Sequence, residues 1–177
     1  DYGAHTAEKE VEQQINLLIK NDFTIDESEN LFNAVHNAGS VLYLGDNAGE
    51  IVFDKLFIET LDHPNLTYAV RGHPVINDVT IEDAHYTGMN KICNIISNGN
   101  DAPSTLLELC SEEFLDHFHS SEVIISKGQG NFEGLMNTDK ENIYFMLMAK
   151  CDPIAELIHV PKGSLLIAKS KNTKNAI

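Results

Sequence analysis

Residues 41–61 read VLYLGDNAGEIVFDKLFIETL. The apolar run VLYL ends abruptly on Gly45, Asp46 and Asn47, and a helical pattern takes over in AGEIVFDKLFIETL. A short apolar run, a turn and an amphipathic stretch form the strand-then-helix unit of an α/β protein. Any polar turn would end a strand. Two adjacent side chains with oxygen donors, followed by a Gly and by Glu50, suggest chemistry as well.

The same alternation continues outward from this segment. LTYAVRG is followed by VTIEDAHYTG, KICNIIS by APSTLLELCSEEFLDHF, and SEVIIS by FEGLM; NIYFMLMA precedes DPIAELIHV, and SLLIAKS closes the set. The six β-like runs are apolar throughout rather than alternating, the pattern of strands buried on both faces, so the expected fold is α/β with a largely parallel sheet. Ahead of them, residues 8–20 place Val11, Ile15, Leu18 and Ile19 on one helical face. Asp26 is positioned to cap a second helix through ESENLFNAV, with Gly39 near its end. The expected organisation is a helical lead-in over residues 1–38 and an α/β domain over 39–177, with the basic tail KSKNTKNAI fraying.

With 177 residues, 42% of them hydrophobic, the chain has enough apolar material for one full core. Its formal net charge of −15 repels phosphate backbones and anionic lipid heads, which excludes nucleic acid and membrane surfaces as partners. A small anion is still compatible, because a local metal ion or lysine reverses the field inside one pocket. Cys93, Cys110 and Cys151 form no CxxC pair and no even framework, and read as reduced thiols of a cytoplasmic protein. No apolar run approaches the roughly 18 residues of a membrane span. No signal peptide is visible, and the opening on Asp1 reads as a fragment or a processed product.

In an open α/β sheet, ligands bind beyond the carboxyl ends of the strands. Three runs end there on polar groups: Gly45-Asp46-Asn47, the stretch RGHPVINDV, and Ser126-Lys127-Gly128-Gln129-Gly130-Asn131. If those strands are neighbours, Asp46, Asn47, Asp78 and Lys127 share one crevice. Two carboxylates and an amide carbonyl are hard donors suited to Mg²⁺ or Mn²⁺. A lysine on a glycine-rich loop supplies a point charge for a phosphoryl group, and together they describe metal-assisted phosphoryl chemistry.

Purely structural roles stand beside each piece. Asn47 and Glu50 match a capping box, Asp78 can cap a helix starting near Val79, and residues 127–131 can be an ordinary loop. Arg71 and His73 sit near enough to meet an anionic substrate, while Arg71 can equally pair with a surface acid. Glu82 and Asp83 read as solvated first-turn acids, and Cys93 as core. His117 and His119 are an i, i+2 pair on different sides of a helix, without a third zinc ligand. GDNAGE lacks the full G-x-G-x-x-G of a dinucleotide fold.

Four stretches, LGDNAGEIVFDKLFIETL, VRGHPVINDVTIEDA, ISKGQGNFE and YFMLMAKCDPIA, spread from Leu44 to Ala155, closely resemble the DUF89 family of damage-control phosphatases with an ARMT1-like domain. The nearest likeness is to its stand-alone subfamily of archaea, bacteria and some protists. The resemblance implies a metal-dependent phosphatase of small phosphorylated metabolites on a three-layer α/β/α Rossmann-like sandwich, preceded by helices. It implies Asp46, Asn47 and Asp78 as ligands of a divalent metal, Mg or Mn first, with Ni or Co as alternatives. It further implies Asp46 and Lys127 as catalytic residues, and Lys127, Asn131 and Glu50 near the substrate phosphate. Family members are usually longer, with a further helical segment in front, so this chain reads as beginning partway in. Two rival functions are an S-adenosylmethionine-dependent methyltransferase and a non-catalytic metal- or metabolite-binding remnant. The first would need an acid after the second strand, where Arg71-Gly72 stand instead.

Overall fold

The computed structural model describes residues 22–170; the expected helix over residues 8–20 and the tail beyond Ser170 lie outside them. The apolar runs form strands as their composition dictates. β2 (Val41–Leu44) and β3 (Leu66–Val70) are buried at every position, and β5 (Val123–Lys127) at all but its last. β4 (Asn94–Ser97), β6 (Ile143–Met148) and β7 (Leu165–Lys169) complete the expected six. A further two-residue strand, β1 (Ile25–Asp26), precedes them.

The described strands form one seven-stranded sheet in the order β1-β7-β6-β5-β2-β3-β4. β4, β3, β2, β5 and β6 are mutually parallel, while β7 runs antiparallel to β6 and carries β1 parallel to itself. The helix between β6 and β7, α6 (Asp152–Leu157), has six residues, and β7 re-enters the sheet where β6 leaves, Leu165 opposite Met148.

β1 lies within the span expected to be a helical lead-in, and it joins that span to the sheet. Thr24 N–H donates to Leu165 O, and Lys169 N–H donates to Glu27 Oε2. The helix that follows, α1 (Ser28–Asn37), starts two residues after Asp26, whose Oδ1 accepts from Ser28 N–H at 2.9 Å.

Alternate strand residues face opposite sides of the sheet, and two separate cores result. Leu42, Leu44, Ile124 and Phe145 pack on one face beneath α4 (Glu112–Ser120), α5 (Gln129–Leu135) and α6. Val41, Tyr43, Tyr68 and Ile125 pack on the other beneath α1, α2 (Ile51–Leu61) and α3 (Ile81–Tyr86). This is the expected three-layer α/β/α sandwich. The three cysteines are unbridged and partly buried.

From β2 the chain winds outward through β3 to β4, then returns to place β5 on β2's other side. The loops after β2 and β5 therefore diverge at a topological switch point, where open α/β sheets form their ligand crevice.

Phe132 of α5 meets Phe145 of β6 edge-to-face, centroids 4.9 Å apart, and both are fully buried. Phe132→Ala should lower unfolding free energy by about 3–5 kcal/mol in urea titration, because the helix cannot sink into the space left.

Candidate active site

β2 leaves the sheet through Gly45, where a Cβ would run into the Tyr68 hydroxyl and Val79. The next residues are stitched to the loop after β3: Val79 N–H donates to Asp46 O and Ala48 N–H to Asn77 O, both at 2.8 Å. Asn47 and Asp78 form an antiparallel bridge. Asp46 and Asn47 thus become neighbours of Asp78, which lies just over thirty residues further along the chain, and all three are buried.

Neither capping role holds. Glu50 is the N-cap of α2 without a side-chain cap bond, and Asn47 Nδ2 instead donates to Asp46 Oδ2 and Glu50 Oε1, both at 2.8 Å. α3 is capped by Thr80 in a capping box with Asp83, which leaves Asp78 out and gives Asp83 a structural task.

Asp78 is held by Arg71, which does not reach a surface acid: it is 3% exposed. Its Nε donates to Asp78 Oδ2 at 2.6 Å, Nη1 to Thr105 Oγ1 at 3.2 Å and Nη2 to Asn131 Oδ1 at 2.8 Å. Asn131 also accepts from Thr105 Oγ1 and donates through Nδ2 to Gly45 O and Lys127 O. Its amide thereby uses both donors and both acceptor positions inside the protein. Asn131 ties the loops after β2 and β5 together at the place where a substrate contact was expected. His73 is exposed on the β3–α3 loop.

Lys127, the last residue of β5, puts Nζ 2.8 Å from Asp54 Oδ1 and 3.1 Å from Glu50 Oε2. The following Gly128 has φ of +81°, and a Cβ there would overlap the Asp46 carboxylate, so this loop lies directly against Asp46. Burial alone disfavours the Lys127 ammonium, but the Asp54 and Glu50 carboxylates outweigh it and hold its pKa above the ordinary lysine value. Asp54 is 2% exposed and accepts from the Tyr43 hydroxyl on Oδ1 and the Tyr68 hydroxyl on Oδ2. Burial, then the Asp54 charge, raises both phenols well above their usual pKa, so both remain donors.

Sequence reasoning missed Asp54 and Lys150. Asp54 carried a signal, because it shares the buried stripe of α2 with Ile51 and Ile58, and a carboxylate among apolar positions at helical spacing needs a partner. Lys150, just beyond the carboxyl end of β6, was a further polar strand exit of the kind already singled out. It borders the same cavity of about 230 Å³ as Asp46, Glu50, Lys127 and Gly128. Met146 and Met148 line the cavity's apolar side.

Burial, then the charges of Glu50 and Asp78, pushes the Asp46 carboxyl up to about 6, with Lys150 and Arg71 pulling the other way. Buried oxygens in that state are complementary to a cation. Among the described residues no three His, Cys, Asp or Glu side chains come together to hold a metal, so a site built on Asp46 and Asp78 would draw on donors of another kind, such as an amide oxygen. Asp46, Asn47 and Asp78 fit that requirement as hard donors. Arg71 takes Oδ2 of Asp78, which leaves Oδ1, and a half-turn of the Asn47 amide exchanges its nitrogen for Oδ1 on the side of Asp46. The histidines at 117 and 119 lie in the last turn of α4.

The model of the damage-control phosphatase ARMT1-like domain matches residues 1–166. A damage-control phosphatase of Pyrococcus horikoshii is 36% identical over 174 residues, covering 97% of this chain and 61% of its own length. An Archaeoglobus fulgidus protein named damage-control phosphatase is 33% identical over 172 residues, covering 94% of this chain and 59% of its own. The crystal structure of a DUF89 family protein from P. horikoshii superposes with a TM-score of 0.86 at 36% identity, over 93% of this chain and 59% of that one. The chain therefore spans about three-fifths of the length of the relatives it matches.

Removing the Arg71 guanidinium strands a buried carboxylate. Arg71→Ala should cost about 3–5 kcal/mol in a urea unfolding titration. Arg71→Lys should recover only part of this, because one ammonium cannot reproduce the fork to Asp78, Thr105 and Asn131.

Proposed function

Because this chain belongs to the damage-control phosphatase ARMT1-like domain family, we propose that it hydrolyses phosphomonoesters of small metabolites with the help of a divalent metal, Mg²⁺ or Mn²⁺. The observation that carries this reading is the meeting of Asp46, Asn47 and Asp78 at the switch point, against the Lys127 loop and beside one cavity. The relatives named damage-control phosphatase support the reaction class. No helix among the described residues is long and apolar enough to cross a membrane.

In this reading Asp46, Asn47 and Asp78 hold the cation through Oδ oxygens. When bound, it would polarise the scissile P–O bond and offset the charge of the phosphoryl oxygens. The protein's own groups do the rest. Lys127 and Lys150 draw the phosphoryl dianion into the cavity and hold it there, in a chain whose overall charge would otherwise repel it. Arg71 holds Oδ2 of Asp78 and keeps the carboxylate from turning, so that Oδ1 is presented. Asn131 fixes the separation of the two loops that carry Asp46 and Lys127. Attack on phosphorus comes from water or from the Asp46 carboxylate. Methyl transfer finds no support at the end of β3, where Arg71 rather than an acid stands, engaged with Asp78.

Asp46→Ala and Asp78→Ala should each lower metal-stimulated hydrolysis of an aryl phosphate by roughly a hundredfold or more. Chelation should abolish the wild-type rate, and added Mg²⁺ or Mn²⁺ should restore it. Turnover like the wild type in both variants would overturn the assignment.

A further inference from the structure

We infer that Asp54 is a positioning residue, which acts through Lys127 to set the ammonium group where a substrate phosphoryl group is received. The inference rests on the phosphatase reading above. Lysine's charge sits on a flexible four-carbon stem, and a useful phosphate contact requires that freedom to be removed. Lys127 has two partners of different character. Glu50 is 33% exposed in its side chain and shares its carboxylate with Asn47. Asp54 is 2% exposed, and neither of its oxygens can turn: Tyr43 holds Oδ1 at 2.7 Å and Tyr68 holds Oδ2 at 2.9 Å. Those tyrosines are themselves immobile, with rings stacked 5.3 Å apart, buried at the centre of the sheet.

Asp54 is therefore the rigid partner and Glu50 the yielding one. With two of its three N–H groups on these carboxylates, Lys127 keeps one for the cavity that it lines with Asp46 and Gly128. A purely architectural role explains the charge poorly. The same stripe of α2 is apolar at Ile51 and Ile58, and a well-packed apolar side chain commonly serves a core as well as a buried ion pair does. A carboxylate at position 54 acquires its reason from the ammonium it holds.

The test is a double-mutant cycle on the 177-residue chain. Affinity for inorganic phosphate is read by calorimetry at saturating Mg²⁺, beside kcat and KM for an aryl phosphate and the melting temperature. Asp54→Asn and Lys127→Ala should each weaken phosphate binding about tenfold, as expected for loss of one charge-assisted bond. The double variant should be no weaker than Lys127→Ala alone, and affinity for Mg²⁺ should stay unchanged. Tyr43→Phe removes a constraint from Oδ1 and should weaken phosphate binding to a smaller extent, which keeps the idea testable if Asp54→Asn does not fold. Unchanged phosphate affinity in either folded variant, or additive losses in the cycle, would overturn the inference while leaving the phosphatase reading in place. A wild-type chain that neither binds phosphate nor hydrolyses esters would overturn both.

Discussion

A single buried guanidinium organises the carboxyl edge of this sheet. Arg71 reaches Asp78, Thr105 and Asn131, and through Asn131 it reaches the backbone of Gly45 and Lys127. Burying a charge without acceptors is prohibitive, and Asp78, Thr105 and Asn131 supply them together. These bonds give definite mutual positions to the loops after β2, β3 and β5. The carboxylates of the proposed metal site gain their placement from a residue that itself faces the interior.

The charge distribution follows from the same constraint. Overall the chain is strongly acidic, at −15, with only 12 lysines and arginines. Three of those cations, Arg71, Lys127 and Lys150, gather around the crevice. They face Asp46, Glu50, Asp54 and Asp78, so the local sum is close to neutral before any metal arrives. Opposed charges at close range hold their side chains still, and groups held in place need little reorganisation during a reaction. In the proposed function this local balance is what would let a compact anion enter a chain of strongly negative overall charge.

Much of the architecture was legible from one dimension. Each of the six apolar runs became a strand, because a run without alternation can satisfy its backbone and bury both faces only inside a covered sheet. β1 escaped notice because two residues carry no periodicity, and the reversal of β7 because an apolar run reads the same in either strand direction. At the site, Asp46, Asn47, Asp78 and Lys127 announced themselves by standing just past apolar runs. Asp54 and Lys150 went unread, and Arg71 was read as a substrate contact or a surface ion pair. The buried roles of Asp54 and Arg71 depend on partners 73 and 60 positions away, Lys127 and Asn131.

The sequence by itself determined which segments are strands, which faces of the helices are buried, and which polar residues stand at strand exits. These are local properties, set by side-chain chemistry at fixed spacing along the chain. Only the tertiary structure decided that the strand order turns back between β2 and β5, bringing Gly128 against Asp46 and Lys127 against Glu50 and Asp54. It alone gave Asp78 and Asp54 their buried counter-charges. Such choices rest on contacts between residues remote in sequence, whose Coulomb and desolvation energies depend on distances that no local pattern encodes.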